Sequence, residues 1–400
     1  MERMAKNSNG LLALTTFVLF STDSALVCTN SDRIWARISW IVIMLLALYY
    51  IPKTYSKINH KKILYPVLLS TGISISMLVH EIIGINYLQR IVLVWLACAF
   101  SEFYEKERVI YAYVKVMRFI AAYSLVCFVL SPILLQIPFP SLYCGNIVYK
   151  NLLFTNLSTY SLRNYGPFWE PGAYQIYLNL ALFFVIRDPK RFNYRDLLLF
   201  GITVLSTVST AGIIVLGLIV MYYLLSVSTN KQSSSKVVSW LIVASLAVGG
   251  IFYMYKNIEF TDSFFNKLTA LSENYKDKNS ENVSSYTRLY SVYANISAIR
   301  EYPLSGMGID GLTDYGLNKF DITANTNTIL ATAATYGLFV GIVYLLLLFK
   351  SIIDKKRRML GNCIILVVFL IFLSTENMMV SLPMWTILFY GLPQRRQAVS

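Results

Sequence analysis

About twelve apolar stretches alternate with short polar gaps along this chain, and the basic residues fall almost entirely on every second gap. A helix needs roughly 20 apolar residues to cross a membrane, so the pattern predicts a bundle of spanning helices. With the N-terminus inside, the inner gaps carry 23 Lys and Arg against 7 Asp and Glu, whereas the rest of the chain carries 12 against 14. Excess Lys and Arg mark cytoplasmic loops. The net charge of +14 therefore indicates membrane orientation and not nucleic-acid binding.

The composition agrees with this topology, because 56% of the 400 residues are hydrophobic and only 14% are charged. Soluble domains carry about 25% charged residues, so a soluble class is excluded. The predicted fold class is all-α: a polytopic integral membrane protein with about 12 transmembrane helices, in which residues 1–400 form a single transmembrane domain and both termini are cytoplasmic. The predicted spans are 10–28, 38–52, 63–84, 86–101, 117–137, 169–187, 196–208, 210–227, 237–256, 326–349, 359–376 and 380–393.

Two outer loops are long enough to build a site: residues 138–168 and the large extracytoplasmic loop 257–325. Within the second loop, segment 284–300 places apolar residues at helical spacing, namely Leu289, Val292, Ile296 and Ile299. This spacing predicts a helix with one apolar face that lies on the membrane or packs over the bundle. Pro303 follows, and a stretch rich in glycine then predicts turns.

The first candidate site is the segment RNYGPFWEPG, which ends just before the sixth predicted span. Arg163 offers a planar guanidinium that can bind phosphate oxygens in two places. Glu170 precedes Pro171, which is typical of the first residue of a helix. The alternative interpretation is that Arg163 anchors to lipid head groups and Glu170 caps the helix.

The second candidate site is the pair Arg288 and Arg300 on the predicted loop helix. An Arg near an apolar face can reach a diphosphate at the membrane surface while its stem lies on apolar surface. Three glycines downstream permit close approach of a ligand to the backbone: Gly306, Gly308 and Gly311. The alternative is a solvated surface helix followed by ordinary turns.

The third candidate site opens the tenth span, where Asn325 and Asn327 could hydrogen-bond sugar hydroxyls or simply cap the helix. Ionisable residues within spans are functional candidates by default. Asp23 and Glu81 are the two notable cases, and their scarcity favours interfacial chemistry over transport. No metal-ligand spacing and no glycine-rich phosphate loop are present, so ATP-driven work is not expected.

The order of these motifs resembles the O-antigen polymerase (Wzy) and O-antigen ligase superfamily of bacterial inner membranes. An RxxGxxxEP motif formed by Arg163, Gly166, Glu170 and Pro171 precedes a span. The hairpin STVSTAG follows, then the large outer loop with TRLYSVYANISAIREYPLSGMGIDG, and then a span that opens with NTIL and continues to YGL. The resemblance covers roughly residues 160–390.

The resemblance implies a glycosyltransferase of lipopolysaccharide or related polysaccharide biosynthesis. Its donor would be an oligosaccharide linked to undecaprenyl diphosphate, transferred to an acceptor glycan on the outer side of the inner membrane. No cofactor and no metal are expected, nor is nucleic acid. Membrane lipids, a chain-length regulator and a flippase are the expected partners. Arg300 and Gly311 are also similar to an Arg-x10-Gly spacing found in some polymerases.

One departure from the ligase pattern favours a polymerase. Ligases place a His before the Asn at the start of the late span, and this chain has Thr326 there. Arg288 and Arg163 are then expected to hold the diphosphate, and Glu170 is the first choice for the base that activates the acceptor hydroxyl, with Asp310 as a weaker choice. The residues expected to bind substrate are Arg300, Asn325, Asn327, Gly306, Gly308, Gly311, Trp169 and Tyr290. A ligase, a flippase or transporter of the same lipid-linked sugar, and a non-catalytic scaffold are the alternatives.

Overall fold

The computed structural model describes residues 2–28, 34–55, 59–81, 84–144, 147–158, 163–187, 193–227, 283–322, 325–353 and 359–393. These residues are mostly helical. The helices before the small sheet are α1 (Glu2–Asp23), α2 (Ala25–Cys28), α3 (Ile34–Tyr55), α4 (His60–Val79), α5 (Ile85–Phe103), α6 (Lys106–Val129) and α7 (Ser131–Leu134). Those after it are α8 (Pro171–Arg187), α9 (Tyr194–Ser206), α10 (Thr210–Val227), α11 (Val283–Glu301), α12 (Ile309–Phe320), α13 (Thr328–Tyr336), α14 (Leu338–Ile352), α15 (Met359–Thr375) and α16 (Leu382–Gly391).

Three of the described helices are long and apolar enough to cross a membrane, and they are α3, α4 and α6. Four shorter apolar helical segments join them: Gly10–Asp23, Thr210–Tyr223, Leu338–Ile352 and Met359–Thr375. Large apolar side chains also remain exposed on these helices, for example Leu48 on α3 at 74%. Such a surface suits contact with lipid. The helices indicate a multi-pass membrane protein, whereas the number of twelve spans stays a prediction, and the predicted span 237–256 lies outside the described residues.

The tenth predicted span is two helices and not one. Gly337 separates α13 from α14 and has a φ of 92°, which L side chains rarely adopt. A Cβ on Gly337 would overlap the carbonyl group of Leu304, because the turn after α11 lies directly against it. The Leu338 N–H donates to the Pro303 carbonyl at 2.8 Å. The break therefore lets the outer loop pack into the bundle.

Helix α8 lies at the centre of the bundle, and nearly every one of its side chains is buried. Tyr177 on this helix donates to Asp23 Oδ2 at 2.6 Å, and Ser381 Oγ donates to the same oxygen at 2.7 Å. The Asp23 carboxylate is therefore satisfied by two hydroxyls that tie α1 to α8 and to the start of α16. This accounts for an acidic residue in the first predicted span without a transport role.

The prediction of an all-α chain is wrong for the first outer loop, which contains a three-stranded antiparallel sheet. The strands are β1 (Ser141–Cys144), β2 (Ile147–Asn151) and β3 (Asn156–Ser158), in the order β1-β2-β3. Leu142 pairs with Tyr149, and Lys150 pairs with Leu157. The run Ile147, Val148 and Tyr149 consists of residues that favour strands. A Gly-Asn pair before it is a hairpin signal that the hydropathy pattern overlooks.

The predicted loop helix is present as α11, but it packs through a different face from the one predicted. Its buried residues are small or polar and recur at helical spacing, namely Ser291, Ala294, Asn295 and Ala298. The predicted apolar residues are half-buried or, like Ile296, exposed. Small side chains let α11 approach α13 closely, so packing density decided the buried face and not hydrophobicity. Residues 257–282 of the same outer loop lie outside the described part of the chain.

Candidate functional site

Arg163 lies between the small sheet and α8, against the turn that joins α9 to α10. Its Nε donates to the Thr207 carbonyl at 3.0 Å and its Nη2 donates to the Val208 carbonyl at 3.2 Å. These carbonyls follow the C-terminal end of α9, where the helix dipole attracts a cation. A guanidinium has more N–H donors than these two bonds use, so Arg163 anchors the turn and still presents charge to the groups around it.

The loop from Arg163 to Gly166 turns tightly, which explains why a glycine follows Arg163 at this spacing. Gly166 has a φ of 51°, and a Cβ there would lie 2.6 Å from the Tyr174 ring. Asn164 is buried, and its Nδ2 donates to Ser206 Oγ at 3.0 Å while its Oδ1 accepts from the Gly166 N–H at 3.0 Å. Glycine is required here because the backbone turns directly over an aromatic ring.

Glu170 immediately precedes Pro171, which begins α8 as the sequence predicts. The Glu170 carbonyl accepts the Tyr174 N–H at 3.2 Å. A Cβ on Gly172 would lie 3.1 Å from Glu170 Oε1 and would overlap Glu376 Oε1. Two carboxylates from distant parts of the sequence therefore meet over the first turn of α8.

Glu376 is the residue that the sequence analysis missed. It follows the last residue of α15 and is 4% exposed. Thr328 Oγ1 donates to the Glu376 carbonyl at 2.6 Å and accepts the Met378 N–H at 2.9 Å. The start of α13 therefore holds the loop in place. The available signal was a lone acidic residue at the end of an apolar span.

Burial raises the pKa of Glu376 well above its ordinary value, and the neighbouring Glu170 carboxylate raises it further. The charges of Arg288 and Arg163 act in the opposite direction, but burial is the largest effect. Glu376 Oε1 has no hydrogen-bond donor among the residues that the structure describes. Burial therefore favours the neutral form of this side chain.

Arg288 completes the group from α11. Its Nε is buried and has no hydrogen-bond partner in the described part of the chain. Its charge acts on both Glu376 and Arg163. We call Arg163, Glu170, Arg288 and Glu376 the charged cluster. Three of its members were predicted from sequence in two separate candidate sites, Arg163 with Glu170 in the first and Arg288 in the second. The fold brings them together at one end of the helices, on the face predicted to be outside.

Of the other predicted substrate-binding residues, Arg300 lies apart from the charged cluster, whereas Trp169 is next to Glu170 in the sequence. Arg300 is exposed near the other end of α11, about 18 Å along the helix axis from Arg288. Tyr290 contacts the rings of Tyr293 and Phe320, at centroid distances of 6.1 and 6.4 Å. Trp169 is half-buried beside Glu170, and its carbonyl accepts from Tyr149 Oη at 2.8 Å.

The two asparagines of the third candidate site have structural partners. Asn327 is the N-cap of α13, and its Oδ1 accepts the Leu330 N–H at 2.9 Å. Asn325 exchanges amide hydrogen bonds with Asn295 of α11, at 2.6 and 3.0 Å. The side-chain oxygen of Asn327 therefore caps the helix, as the alternative interpretation expects. A role of either side chain in binding sugar stays a prediction.

Gly306 and Gly308 adopt positive φ values of 66° and 77° in the turn between α11 and α12. The Gly308 N–H donates to the Thr335 carbonyl at 3.0 Å, and the Gly306 carbonyl lies 3.0 Å from His80 Nε2. A Cβ on Gly306 would overlap the backbone of Thr335. Gly311 differs, because a Cβ there would meet only Met307, at an ordinary 3.7 Å.

The described residues contain no group of three or more His, Cys, Asp or Glu that could hold a metal ion. The charged cluster contains two glutamates and two arginines, and the guanidinium groups supply the positive charge there. The expectation of metal independence stays a prediction.

The fold and the charged cluster define a class: a multi-pass helical membrane protein with paired arginines and glutamates where its helices end. Residues 197–331 match the family model described as O-antigen ligase. The match runs from α9 into α13, includes Arg288 and Arg300, and confirms the resemblance to the O-antigen polymerase and ligase superfamily. Members of that superfamily are glycosyltransferase-like enzymes that act on lipid-linked oligosaccharides in membranes. No curated protein matches the chain.

Proposed function

We propose that this protein is a polymerase that joins oligosaccharide repeat units carried on undecaprenyl diphosphate into O-antigen or a related surface polysaccharide. The reaction takes place on the outer side of the bacterial inner membrane, with both protein termini in the cytoplasm. A chain-length regulator and a flippase are the proposed partners. The observation that carries the proposal is the buried Arg288 Nε, which has no hydrogen-bond partner in the described chain, on a guanidinium whose charge acts on the buried Glu376.

The charge of the cluster supports the binding of a diphosphate. The cluster holds two arginines and two glutamates, and burial favours the neutral form of Glu376. The cluster then carries a net positive charge in a partly dry site. Electrostatic attraction is stronger there than in water, so an anionic leaving group is favoured over a neutral sugar.

The proposed transfer is a single displacement at the first sugar carbon of the donor. The acceptor hydroxyl oxygen forms a bond to that carbon while the bond between the carbon and the diphosphate oxygen breaks. The diphosphate keeps the electron pair, and the hydroxyl proton passes to the Glu170 carboxylate. Arg288 stabilises the charge that develops on the leaving group, an effect that is worth several kcal/mol in preorganised sites.

Glu376 and Arg163 have supporting roles in this proposal. The protonated Glu376 carboxyl can donate a hydrogen bond to a phosphate oxygen, which an ionised carboxylate cannot do. Arg163 fixes the turn between α9 and α10 through the Thr207 and Val208 carbonyls and adds positive charge beside Glu170. Arg300 lies farther out on α11, where we assign it to guidance of the growing chain.

An O-antigen ligase of the same superfamily is the second candidate, and the description of the matching family favours it. Thr326 stands where the ligase pattern has a His, and a Thr hydroxyl does not act as a base at neutral pH. A flippase is less favoured, because the buried Asp23 carboxylate is already engaged by Tyr177 and Ser381.

A deletion strain separates these functions by its surface glycan. Loss of a polymerase leaves one repeat unit on each anchor, loss of a ligase leaves unattached polymer, and loss of a flippase leaves no exported units. We expect the first result, and we expect the wild-type gene to restore long chains. The Lys319→Gln variant should also restore long chains. It serves as the control for the loss of a surface charge, since Lys319 is exposed and pairs with Glu301 at 2.8 Å.

A further inference from the structure

A second polar site lies beside the charged cluster, in a cavity of about 200 Å³. The outer end of α5 and the amphipathic helix α12 form two of its walls, and the loop after α15 forms a third. Its lining includes Arg90, Thr313, Asn325, Thr335 and Asn377. The volume exceeds the roughly 15 Å³ that one water needs and is smaller than a drug-sized pocket of about 300 Å³. A group the size of a single sugar ring suits it.

Arg90 is the charged residue of this cavity. Its Nε and Nη1 are buried, and neither has a hydrogen-bond partner among the described residues. No described Asp or Glu forms an ion pair with it. Burial of guanidinium N–H groups without acceptors is costly, so the site is suited to an anion that supplies them.

Neighbouring groups add hydrogen-bond donors of the same kind. The Tyr336 hydroxyl is buried within reach of Arg90, and its O–H remains able to donate to a ligand. Asn377 Oδ1 accepts the Met379 N–H at 3.2 Å, so its Nδ2 is the group left to donate. A planar guanidinium with flanking donors matches the two oxygens of a carboxylate.

The cavity is adjacent to the charged cluster through two segments. Asn377 directly follows Glu376, and Ala294 in the cavity wall belongs to α11, the helix that carries Arg288. Ile309 and Leu312 of α12 provide an apolar wall next to these donors, an arrangement that suits a sugar ring with one anionic substituent.

We propose that the Arg90 cavity binds the carboxylate of an acidic sugar in the acceptor glycan. This proposal rests on the proposed function for the identity of the acceptor, whereas the binding site itself stands on Arg90 and its surroundings. It predicts that the repeat unit contains a uronic acid or another carboxylate-bearing sugar.

The test measures binding without transfer. The full-length protein in detergent is titrated with free D-glucuronate, and the thermal midpoint Tm is followed, since a ligand that binds the folded state raises Tm. We expect a rise in Tm that saturates with glucuronate and is absent with glucose. An equal rise with glucose, or with inorganic phosphate, would overturn the proposal.

Four variants locate the binding. Arg90→Gln is expected to lose the rise in Tm. Lys319→Gln, which removes an exposed charge on α12, is expected to keep it. Arg288→Ala is also expected to keep it, which excludes binding of the probe at the charged cluster. Thr313→Trp fills the cavity from an exposed position and leaves Arg90 intact. It is expected to lose the rise in Tm, so the proposal remains testable if Arg90→Gln fails to fold.

The two proposals fail separately in this design. Binding of glucuronate that depends on Arg90, in a protein that elongates no glycan, would reject the polymerase and keep the anion site. Elongation by a protein whose Tm does not respond to glucuronate would keep the polymerase and reject the site.

Discussion

Glu170 and Glu376 bring two carboxyl groups together over Gly172, one from the start of α8 and one from the end of α15. Two like charges at close range in a buried site cannot both ionise easily. Burial and the close approach therefore favour the neutral form of Glu376, which leaves the two arginines of the charged cluster in excess. We propose on this ground that the site binds an anion, although it contains equal numbers of acidic and basic residues.

The close approach at Gly172 gives the first prediction. Gly172→Ala would place a methyl group where Glu376 Oε1 lies and displace that carboxyl group, so we expect loss of chain elongation with a loss of stability of only about 1 kcal/mol. Gly217→Ala is the matched control, because nothing lies within 4 Å of a Cβ there. It should retain activity and gain up to about 1 kcal/mol from helix propensity. Equal activity of the two variants would contradict the geometry of the site.

The raised pKa of Glu376 gives a prediction for pH dependence. As pH rises through this pKa, Glu376 ionises and places a negative charge beside the diphosphate, so donor binding should weaken on the alkaline side. Glu376→Gln cannot ionise and should extend activity to higher pH. The stability of the protein should also fall on the alkaline side. A carboxyl group whose pKa is higher in the folded than in the unfolded state lowers the stability as pH rises from the unfolded-state pKa to the folded-state pKa. An unchanged alkaline limit in the variant, measured from pH profiles of elongation, would reject this role.

Arg163 is expected to affect stability as well as activity. Arg163→Ala removes two charge-assisted hydrogen bonds to the Thr207 and Val208 carbonyls, which should cost about 2 kcal/mol. Arg163→Lys keeps the charge but loses the planar fork, so it should recover only part of the stability. Thermal unfolding of both variants checks this prediction. Full stability of Arg163→Ala would show that the turn between α9 and α10 does not depend on the guanidinium.

Sequence periodicity and charge predicted the helical bundle and the helix over 284–300, because both depend on local patterns. Three other features depend on contacts between distant parts of the chain, which local patterns do not contain. Glu376 became part of the site only through packing of the loop after α15 against Thr328. The buried face of α11 followed close helix contact and not the apolar stripe, and the outer sheet depends on strand pairing between short segments. Long-range contacts of this kind are absent from a single hydropathy profile.

The glycines after α11 provide a test that separates packing from substrate contact. Gly306→Ala should destabilise the protein, because its φ of 66° is strained for alanine and its Cβ would overlap the Thr335 backbone. Gly311→Ala lies within α12 with ordinary space around it, so its stability should be equal or higher. Thermal unfolding and glycan length are measured for both. Loss of elongation by a stable Gly311→Ala would support a substrate role for that glycine.

The most direct test of the account is elongation by the purified protein in lipid vesicles supplied with repeat units on undecaprenyl diphosphate. The wild-type protein should produce glycans of several repeats on the lipid carrier and release undecaprenyl diphosphate. Arg288→Ala should produce none at normal protein levels, and Arg288→Lys should produce a partial amount, because a point charge replaces a bidentate donor. Full-length products from Arg288→Ala, or no elongation by the wild-type protein, would contradict the central role of the charged cluster.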